Sequence, residues 1–180
     1  MTRCGQPKRF FCRTTLNRRA DMTYPIKHVA NCFLQEDFKS GTANITPMKM
    51  QKLIYYLHGW HLAITGEPLI AENFQAWQYG PVEEGLYHLL KNYGGNPVTE
   101  YLKEWGSDWN KSYVVATSDV RFYEIFNVVY KKYMPFNALQ LSTMTHRPGT
   151  PWDEARKHGN PIIENNAIKQ YFTELAHAGQ

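Results

Sequence analysis

The sequence predicts a mainly α protein, a single compact domain of about six helices with at most a short extended or hairpin element. Apolar residues recur at helical spacing through most of the chain, and helix start and stop signals separate the apolar runs. The 180 residues suit one domain. A content of 43% hydrophobic and 14% aromatic residues favours a packed core over a disordered chain. No internal repeat or low-complexity segment suggests a second domain.

The basic charge of the chain is concentrated at its start. The whole chain has a formal net charge of +4, whereas residues 1–21 contain six Arg and Lys residues and one Asp. The remaining residues 22–180 therefore have a net charge of −1. We predict a basic N-terminal tail over residues 1–21, either disordered or an upstream extension, and a helical domain over residues 22–180. A basic arm is able to contact nucleic acid, but an extension without that role is favoured.

The sequence also predicts a cytoplasmic protein without membrane contact. No apolar run approaches the roughly 18 residues of a membrane span, and the N-terminus lacks the apolar stretch of a secretory signal. Cys32 is the single cysteine of residues 22–180, which agrees with a reducing compartment. Cys4 and Cys12 have no His or Cys partner at zinc spacing within the tail.

Two helices are predicted before residue 70. Thr23 and Pro25 begin the first helix, and Gly41 ends it. Thr46 and Pro47 begin the second, as a capping hydroxyl followed by a proline at the first helical position. The second helix is apolar on most sides, which predicts that it lies near the centre of the domain.

The rest of the chain continues this pattern. The segment from Phe74 to Tyr79 alternates weakly and is predicted as a short extended piece. Pro81 is predicted to begin a third helix, and residues 96–117 are predicted as a long loop or small hairpin. A fourth helix follows a cap at Ser118 or Asp119. Further helices are predicted over residues 137–145, from Thr150–Pro151 to Gly159, and from about Glu164.

No residue pattern indicates catalysis, a metal or a cofactor. His58 and His61 lie three residues apart, but no HExxH motif or cysteine pair accompanies them. Glu83 and Glu84 are adjacent, so on a helix they diverge by about 100° and cannot flank one substrate as an acid–base pair. Carboxylates at a helix start instead complement the positive end of the helix dipole.

Trp77 and Tyr79 are separated by one residue, so both face the same way if their segment is extended. One interpretation packs Trp77 beneath a turn that Gly80 and Pro81 set, and it is the favoured one because these two residues suit a turn. The other presents the two rings to a partner as rigid amphipathic anchors. Composition does not choose between them.

Four segments in order resemble the Panacea domain, the SocA-like antitoxin family that also includes phage-associated GepA-like proteins. They are ITPMKMQKLIYYLHGWHLAITGEPL (residues 45–69), QAWQYGPVEEGLYHLLKNYG (75–94), THRPGTPWDEAR (145–156) and IIENNAIKQYF (162–172). The resemblance spans residues 22–175 and is weakest between 96 and 117. Several separated motifs in one order are more specific than any single motif.

The resemblance implies an all-α, non-enzymatic antitoxin of a type II toxin–antitoxin pair in a prokaryote. Its partner would be a protein toxin encoded by an adjacent gene, neutralised by direct binding. The candidate toxin-binding residues are Lys49, Lys52 and Tyr56, which are expected on exposed faces of the second helix, and Trp77, Tyr79 and Val82. The positions matching the family pattern are assigned structural roles: Thr46, Pro47, Gln51, Leu53, Tyr55, Gly59, Trp60, Gly80, Pro81, Thr145, His146, Pro151 and Trp152.

Other functions stay open at this point. A proteolytic adaptor would deliver the toxin to a cellular protease. A DNA-binding regulator would use the basic tail, although the net charge of residues 22–180 argues against a large phosphate-binding surface and makes nucleic acid an unexpected partner. An enzyme with His146 as a base near Thr145 is least favoured, because turn capping explains His146 without chemistry.

Trp152 is expected to be structural. Thr150 and Pro151 place its ring in the first turn of a helix. A ring there is expected to tuck under the preceding turn and tie the segment of Thr145 and His146 to the second helix.

Overall fold

The computed structural model describes residues 23–104 and 111–178. The predicted basic tail over residues 1–21, including Cys4 and Cys12, lies outside these ranges. In chain order the elements are α1 (Ile26–Ser40), α2 (Pro47–Thr65), β1 (Phe74–Trp77), β2 (Gly80–Val82), α3 (Glu84–Leu90), a 3₁₀ turn (Lys91–Tyr93), α4 (Val120–Tyr133), α5 (Ala138–Thr145), α6 (Pro151–Lys157), β3 (Ile162–Ile163) and α7 (Asn165–Ala178).

The mainly α fold class is confirmed, with two differences from the prediction. The described residues form seven α-helices rather than about six, and their extended part is a three-stranded sheet rather than at most a hairpin. None of the described helices combines the length and the apolarity that crossing a membrane requires.

Helix α2 lies at the centre of the domain, as its apolar character predicts. It packs against α1, α3, α4, α5, α7 and β2. Every residue from Lys49 to Gly59 is buried. The predicted start signal is also confirmed, because the Thr46 hydroxyl accepts a hydrogen bond from the Lys49 backbone N–H at 3.3 Å.

The small sheet has β1 in the middle. It pairs antiparallel with β2, where Trp77 lies opposite Gly80, and with β3, where Phe74 lies opposite Ile163. The predicted extended piece is confirmed for Phe74–Trp77, whereas β3 was not expected. A strand of two residues leaves too short a pattern to recognise in a sequence.

The prediction that Pro81 begins the third helix is wrong. Pro81 lies in β2 opposite Ala76, and α3 begins three residues later at Glu84. Glu83 is the N-cap, with carboxylate oxygens that accept hydrogen bonds from the backbone N–H groups of Gly85 at 2.8 Å and Leu86 at 2.6 Å. A side-chain cap at Glu83 fixes the helix start, and pairing with β1 holds the proline in the strand.

A long loop joins α3 to α4, as predicted, over the described residues 96–104 and 111–117. Asn31 of α1 holds both sides of this loop. Its amide nitrogen donates to the carbonyl oxygens of Leu102 at 2.9 Å and Tyr113 at 2.8 Å, and its amide oxygen accepts from the Leu102 N–H at 2.8 Å. One buried amide therefore fixes the path of the loop across the core.

Close packing of α2 on α7 generates the first prediction. Gly59 faces the Phe172 ring so closely that a methyl group at Gly59 would overlap the ring atoms. We expect Gly59→Ala to lower the free energy of unfolding by about 1–3 kcal/mol, the usual cost of an overpacked core. Chemical denaturation measures the change.

Gly95→Ala is the matched control, because no atom lies within 4 Å of a Cβ at Gly95 and its φ is not positive. We expect this variant to stay within about 1 kcal/mol of the parent. Equal unfolding curves for Gly59→Ala and the parent would show that α7 does not pack on α2 at this point.

Candidate functional site

Side chains from three helical regions hold one β-hairpin. The hairpin consists of β1, the turn residues Gln78 and Tyr79, and β2, and Glu83 follows at its end. Six backbone carbonyl oxygens of this segment lie within 3.3 Å of a polar side-chain atom from α2, α5, α6 or the residue that follows α5. The six carbonyls belong to Ala76, Trp77, Gln78, Tyr79, Pro81 and Glu83. The hairpin is therefore fixed along nearly its whole length.

Helix α2 holds the β2 side of the hairpin. The Gln51 side chain donates to the Glu83 carbonyl and accepts from the Glu83 N–H, both at 2.9 Å. The Lys52 ammonium donates to the Pro81 carbonyl at 2.8 Å. The amide nitrogen and the amide oxygen of Gln51 are thus both hydrogen-bonded to the backbone of Glu83.

The α5–α6 region holds the β1 side. The Ser142 hydroxyl donates to the Tyr79 carbonyl at 2.9 Å, and His146 Nε2 lies 3.1 Å from the Gln78 carbonyl. The Trp152 indole N–H donates to the Trp77 carbonyl at 2.8 Å. Arg156 completes the set with a bond to the Ala76 carbonyl at 3.3 Å. Sequence reasoning named neither Ser142 nor Arg156 as a site residue, although both stand within or beside the family-like segment around Thr145.

Lys52 is a buried cation beneath the hairpin. Only 1% of the residue is exposed, and no ion pair reaches it from the described residues. Burial lowers the pKa of its ammonium from the ordinary 10.5 to about 7. Gly80, with φ +101°, lies directly above it. A Cβ at Gly80 would come within 2.8 Å of Lys52 Cε and of Thr145 Oγ1, so this position requires glycine.

The expectation that Lys49, Lys52 and Tyr56 present exposed faces is wrong. All three are buried, because α2 is surrounded on nearly every side. Lys49 Nζ donates to Asn44 Oδ1 at 2.8 Å and to the Met134 carbonyl at 2.9 Å. The Tyr56 ring stacks on Tyr133 with centroids 4.2 Å apart. Whether these residues contribute to toxin binding stays a prediction.

The other three candidates border an open groove of about 480 Å³ between the hairpin, the start of α2 and the end of α3. Tyr79 is 67% exposed, whereas Trp77 is half-buried and packs edge-on against Tyr87 with ring centroids 4.9 Å apart. Val82 is buried in the groove wall. The groove is lined by Pro47, Met48, Gln51, Lys52, Trp77, Gln78, Tyr79, Val82, Tyr87, Lys91 and Gly94.

Sequence reasoning missed Met48, Tyr87 and Lys91 of this groove. They come from separate elements, and only the tertiary arrangement brings them together.

The remaining family-pattern positions lie in the core or at helix starts. Leu53 and Tyr55 are buried, and Pro151 is the first residue of α6, after the Thr150 cap. The Trp60 indole N–H donates to the Tyr133 hydroxyl at 3.0 Å. Trp152 contacts His146, with ring centroids 3.8 Å apart, and β1 through its hydrogen bond, and it packs against the core. Its expected tie to α2 stays a prediction.

The two histidines of α2 are buried, and each is hydrogen-bonded to a neighbouring part of the fold. His58 Nε2 lies 2.9 Å from Asn165 Oδ1, and His61 Nδ1 lies 2.9 Å from the Glu67 carbonyl. Burial lowers the pKa of His58 to about 4. Within the described parts of the chain, no three His, Cys, Asp or Glu side chains come together as they would around a metal ion.

Comparison with known proteins assigns the chain to a class. Residues 50–153 match the family "Antitoxin SocA-like, Panacea domain", and the chain belongs to this family. The matched region contains most of α2, the hairpin, α5 and the beginning of α6, which are the elements that build and anchor the hairpin.

A curated relative is the antitoxin SocA of Caulobacter vibrioides (strain NA1000 / CB15N). It is 28% identical over 112 residues, which are 61% of this chain and 58% of the relative. The similarity thus spans less than two thirds of either protein. No solved structure gives a significant match.

The buried charge of Lys52 generates the second prediction. Its folded pKa, about 7, lies below the ordinary 10.5, so between these pH values the unfolded chain binds a proton that the native protein has released. The free energy of unfolding of the parent therefore rises relative to Lys52→Met as pH increases from 7 to 10.5, by up to roughly 5 kcal/mol. Below pH 7 the difference is constant.

Paired urea denaturation of the parent and Lys52→Met at several pH values measures this difference. Each other group titrates in both proteins, so its contribution cancels. A difference that does not vary between pH 7 and 10.5 would mean that the native Lys52 ammonium remains hydrated.

Trp152 generates the third prediction. Trp152→Phe keeps a ring against His146 but removes the hydrogen bond to the Trp77 carbonyl. We expect it to lower the free energy of unfolding by about 1 kcal/mol. Trp152→Ala removes both and is expected to cost about 2–3 kcal/mol, less than a fully buried tryptophan, because the side chain is half-buried. Thermal unfolding orders the two variants, and equal losses would mean that the ring contact contributes nothing.

Proposed function

We propose that this chain is the antitoxin of a type II toxin–antitoxin pair and neutralises a protein toxin by direct binding, without catalysis. The toxin is encoded by an adjacent gene, and the pair acts in the cytoplasm of a prokaryotic cell. Membership of the SocA-like antitoxin family supports the antitoxin role. The observation that carries direct binding is an exposed tyrosine, Tyr79, at the tip of a rigidly anchored hairpin beside an open groove.

The anchoring makes this surface suitable for recognition. A partner loses less free energy in ordering a binding surface that the fold already holds in one conformation. Tyrosine and tryptophan supply large contact area with few rotatable bonds and are enriched among residues that dominate binding. Trp77, at the end of β1, and Tyr79, in the turn that follows, both meet this description.

In this proposal the six candidate residues either contact the toxin or support the contact surface from inside the fold. Trp77, Tyr79 and Val82 contact the toxin at the groove. Lys52 supports that surface from below through the Pro81 carbonyl. Lys49 and Tyr56 act further inside, at the junctions of α2 with α4 and α5.

Occlusion is the proposed mechanism. The antitoxin covers the active or substrate-binding face of the toxin, typically over about 1,600 Å² of total buried surface. The groove alone is too small for such an interface, so the surface around the hairpin contributes as well.

Co-expression with the adjacent gene tests the proposal. We expect that gene to arrest growth alone and the parent chain to restore growth. Tyr79→Ala is expected to reduce rescue and toxin affinity by tenfold or more. Its stability is expected to be unchanged, because within the described residues the fold uses the Tyr79 backbone carbonyl and not its exposed side chain. Growth assays and calorimetry against an inactive toxin variant measure the two effects.

Val128→Ala is the matched control. Val128 is also 67% exposed and borders a different apolar depression between α2 and α4. If Tyr79→Ala rescues growth fully and Val128→Ala does not, the toxin binds at that depression and not at the groove. A harmless neighbouring gene, or toxicity that the parent chain leaves unchanged, would remove the antitoxin function. Shortened toxin half-life during rescue would identify a proteolytic adaptor instead.

A further inference from the structure

The charges of the groove have one sign. Lys52 and Lys91 are its formally charged lining residues, and no Asp or Glu occurs among the described residues that line it. Lys91 is exposed and makes no ion pair with any described residue. Lys52 lies at the base without a carboxylate partner in the same described ranges. Lys91 is thus an uncompensated cation and Lys52, with its pKa lowered to about 7, is partly protonated near neutral pH, so the depression favours an anionic occupant.

The N-terminal end of α2 adds to this positive potential. Pro47 and Met48, the first residues of this 19-residue helix, line the groove. The partial positive charge of a helix dipole is located at this end. The N-terminal end of α2 and the side chains of Lys52 and Lys91 therefore act on the same volume, and the partial negative charge at the C-terminal end of α3, beside Lys91, opposes them in part.

The walls of the groove are apolar. Met48, Val82 and the edge-to-face pair of Trp77 and Tyr87 line the groove together with Lys91. A duplex or single-stranded nucleic acid carries one charge at each phosphate and is usually bound by several Lys and Arg residues. One exposed lysine beside apolar walls instead suits a single carboxylate with an apolar neighbour.

We propose that the groove binds an acidic–apolar segment of the toxin, in which an Asp or Glu carboxylate pairs with Lys91 and an adjacent apolar side chain lies against Met48, Trp77 and Tyr87. This inference rests on the proposed antitoxin function and adds the chemistry of the partner. The carboxylate also approaches the side of the hairpin beneath which Lys52 is buried. Its negative charge there reduces the cost of keeping an unpaired ammonium out of water.

Calorimetry with the full chain and a catalytically inactive variant of the adjacent gene's toxin tests the inference. Lys91→Gln is expected to weaken binding tenfold or more, as for close charge pairs that become buried at an interface. Lys131→Gln is the matched control, since Lys131 is an exposed lysine of α4 outside the groove. It is expected to change the affinity less than twofold. Melting curves of both variants should match the parent.

A double-mutant cycle then identifies the partner carboxylate. Each toxin Asp or Glu is replaced by Asn or Gln and measured against the parent and Lys91→Gln. We expect one acidic residue whose replacement weakens binding to the parent but costs little further affinity in Lys91→Gln.

The outcomes separate this inference from the proposed function. No binding of the parent chain to the toxin overturns the proposed function and this inference with it. Tight binding that Lys91→Gln leaves unchanged overturns the inference alone. If Lys91→Gln weakens toxin binding but the double-mutant cycle finds no toxin carboxylate that is coupled to Lys91, the inference is also overturned. If a DNA duplex displaces the toxin from the parent but not from Lys91→Gln, the occupant of the groove is nucleic acid, and the inference is overturned.

Discussion

A central helix that is buried on nearly every side must satisfy most of its polar side-chain atoms inside the protein, and the neighbouring elements depend on this constraint; among the described residues, His58 Nδ1 is the exception. Leaving a buried polar group without a partner costs about 1–3 kcal/mol, and more for a charge. In α2, Gln51 and Lys52 find backbone partners in the hairpin, while Lys49 finds one at the end of α4. Each partner must lie where the α2 side chain reaches, so α2 fixes the positions of two neighbouring elements.

The same bonds determine which part of the hairpin a partner protein can use. An edge strand with free backbone groups invites another strand. On β2, however, the carbonyl of Pro81 is bound by Lys52, proline has no N–H, and Gln51 occupies both groups of Glu83. Strand addition at this edge is therefore unfavourable. Recognition through side chains is left for the proposed partner, and Tyr79 and the groove residues are the side chains proposed for it.

The sequence was sufficient for features that depend on local patterns. Thr46 with Pro47, and Thr150 with Pro151, mark helix starts because a capping hydroxyl and a fixed φ act within one turn. Features that depend on tertiary pairing were missed. Pro81 looks like a helix start until β1 lies beside it, and a lysine such as Lys52 looks exposed until the hairpin covers it. The groove could not be predicted because its residues come from α2, the hairpin and α3.

Segments that are far apart in the sequence converge on one hairpin, and this convergence separates two sets of residues. Gln51, Ser142 and Trp152 hold backbone carbonyls, so each is tied to the conformation of the hairpin. The side chains of Tyr79 and Lys91 hold nothing in the described structure, since Tyr79 contributes only its backbone to the network. A change in an anchoring residue therefore alters stability and shape together. A change at Tyr79 or Lys91 alters only what the surface presents, so one rigid scaffold is able to carry different binding chemistries without being rebuilt.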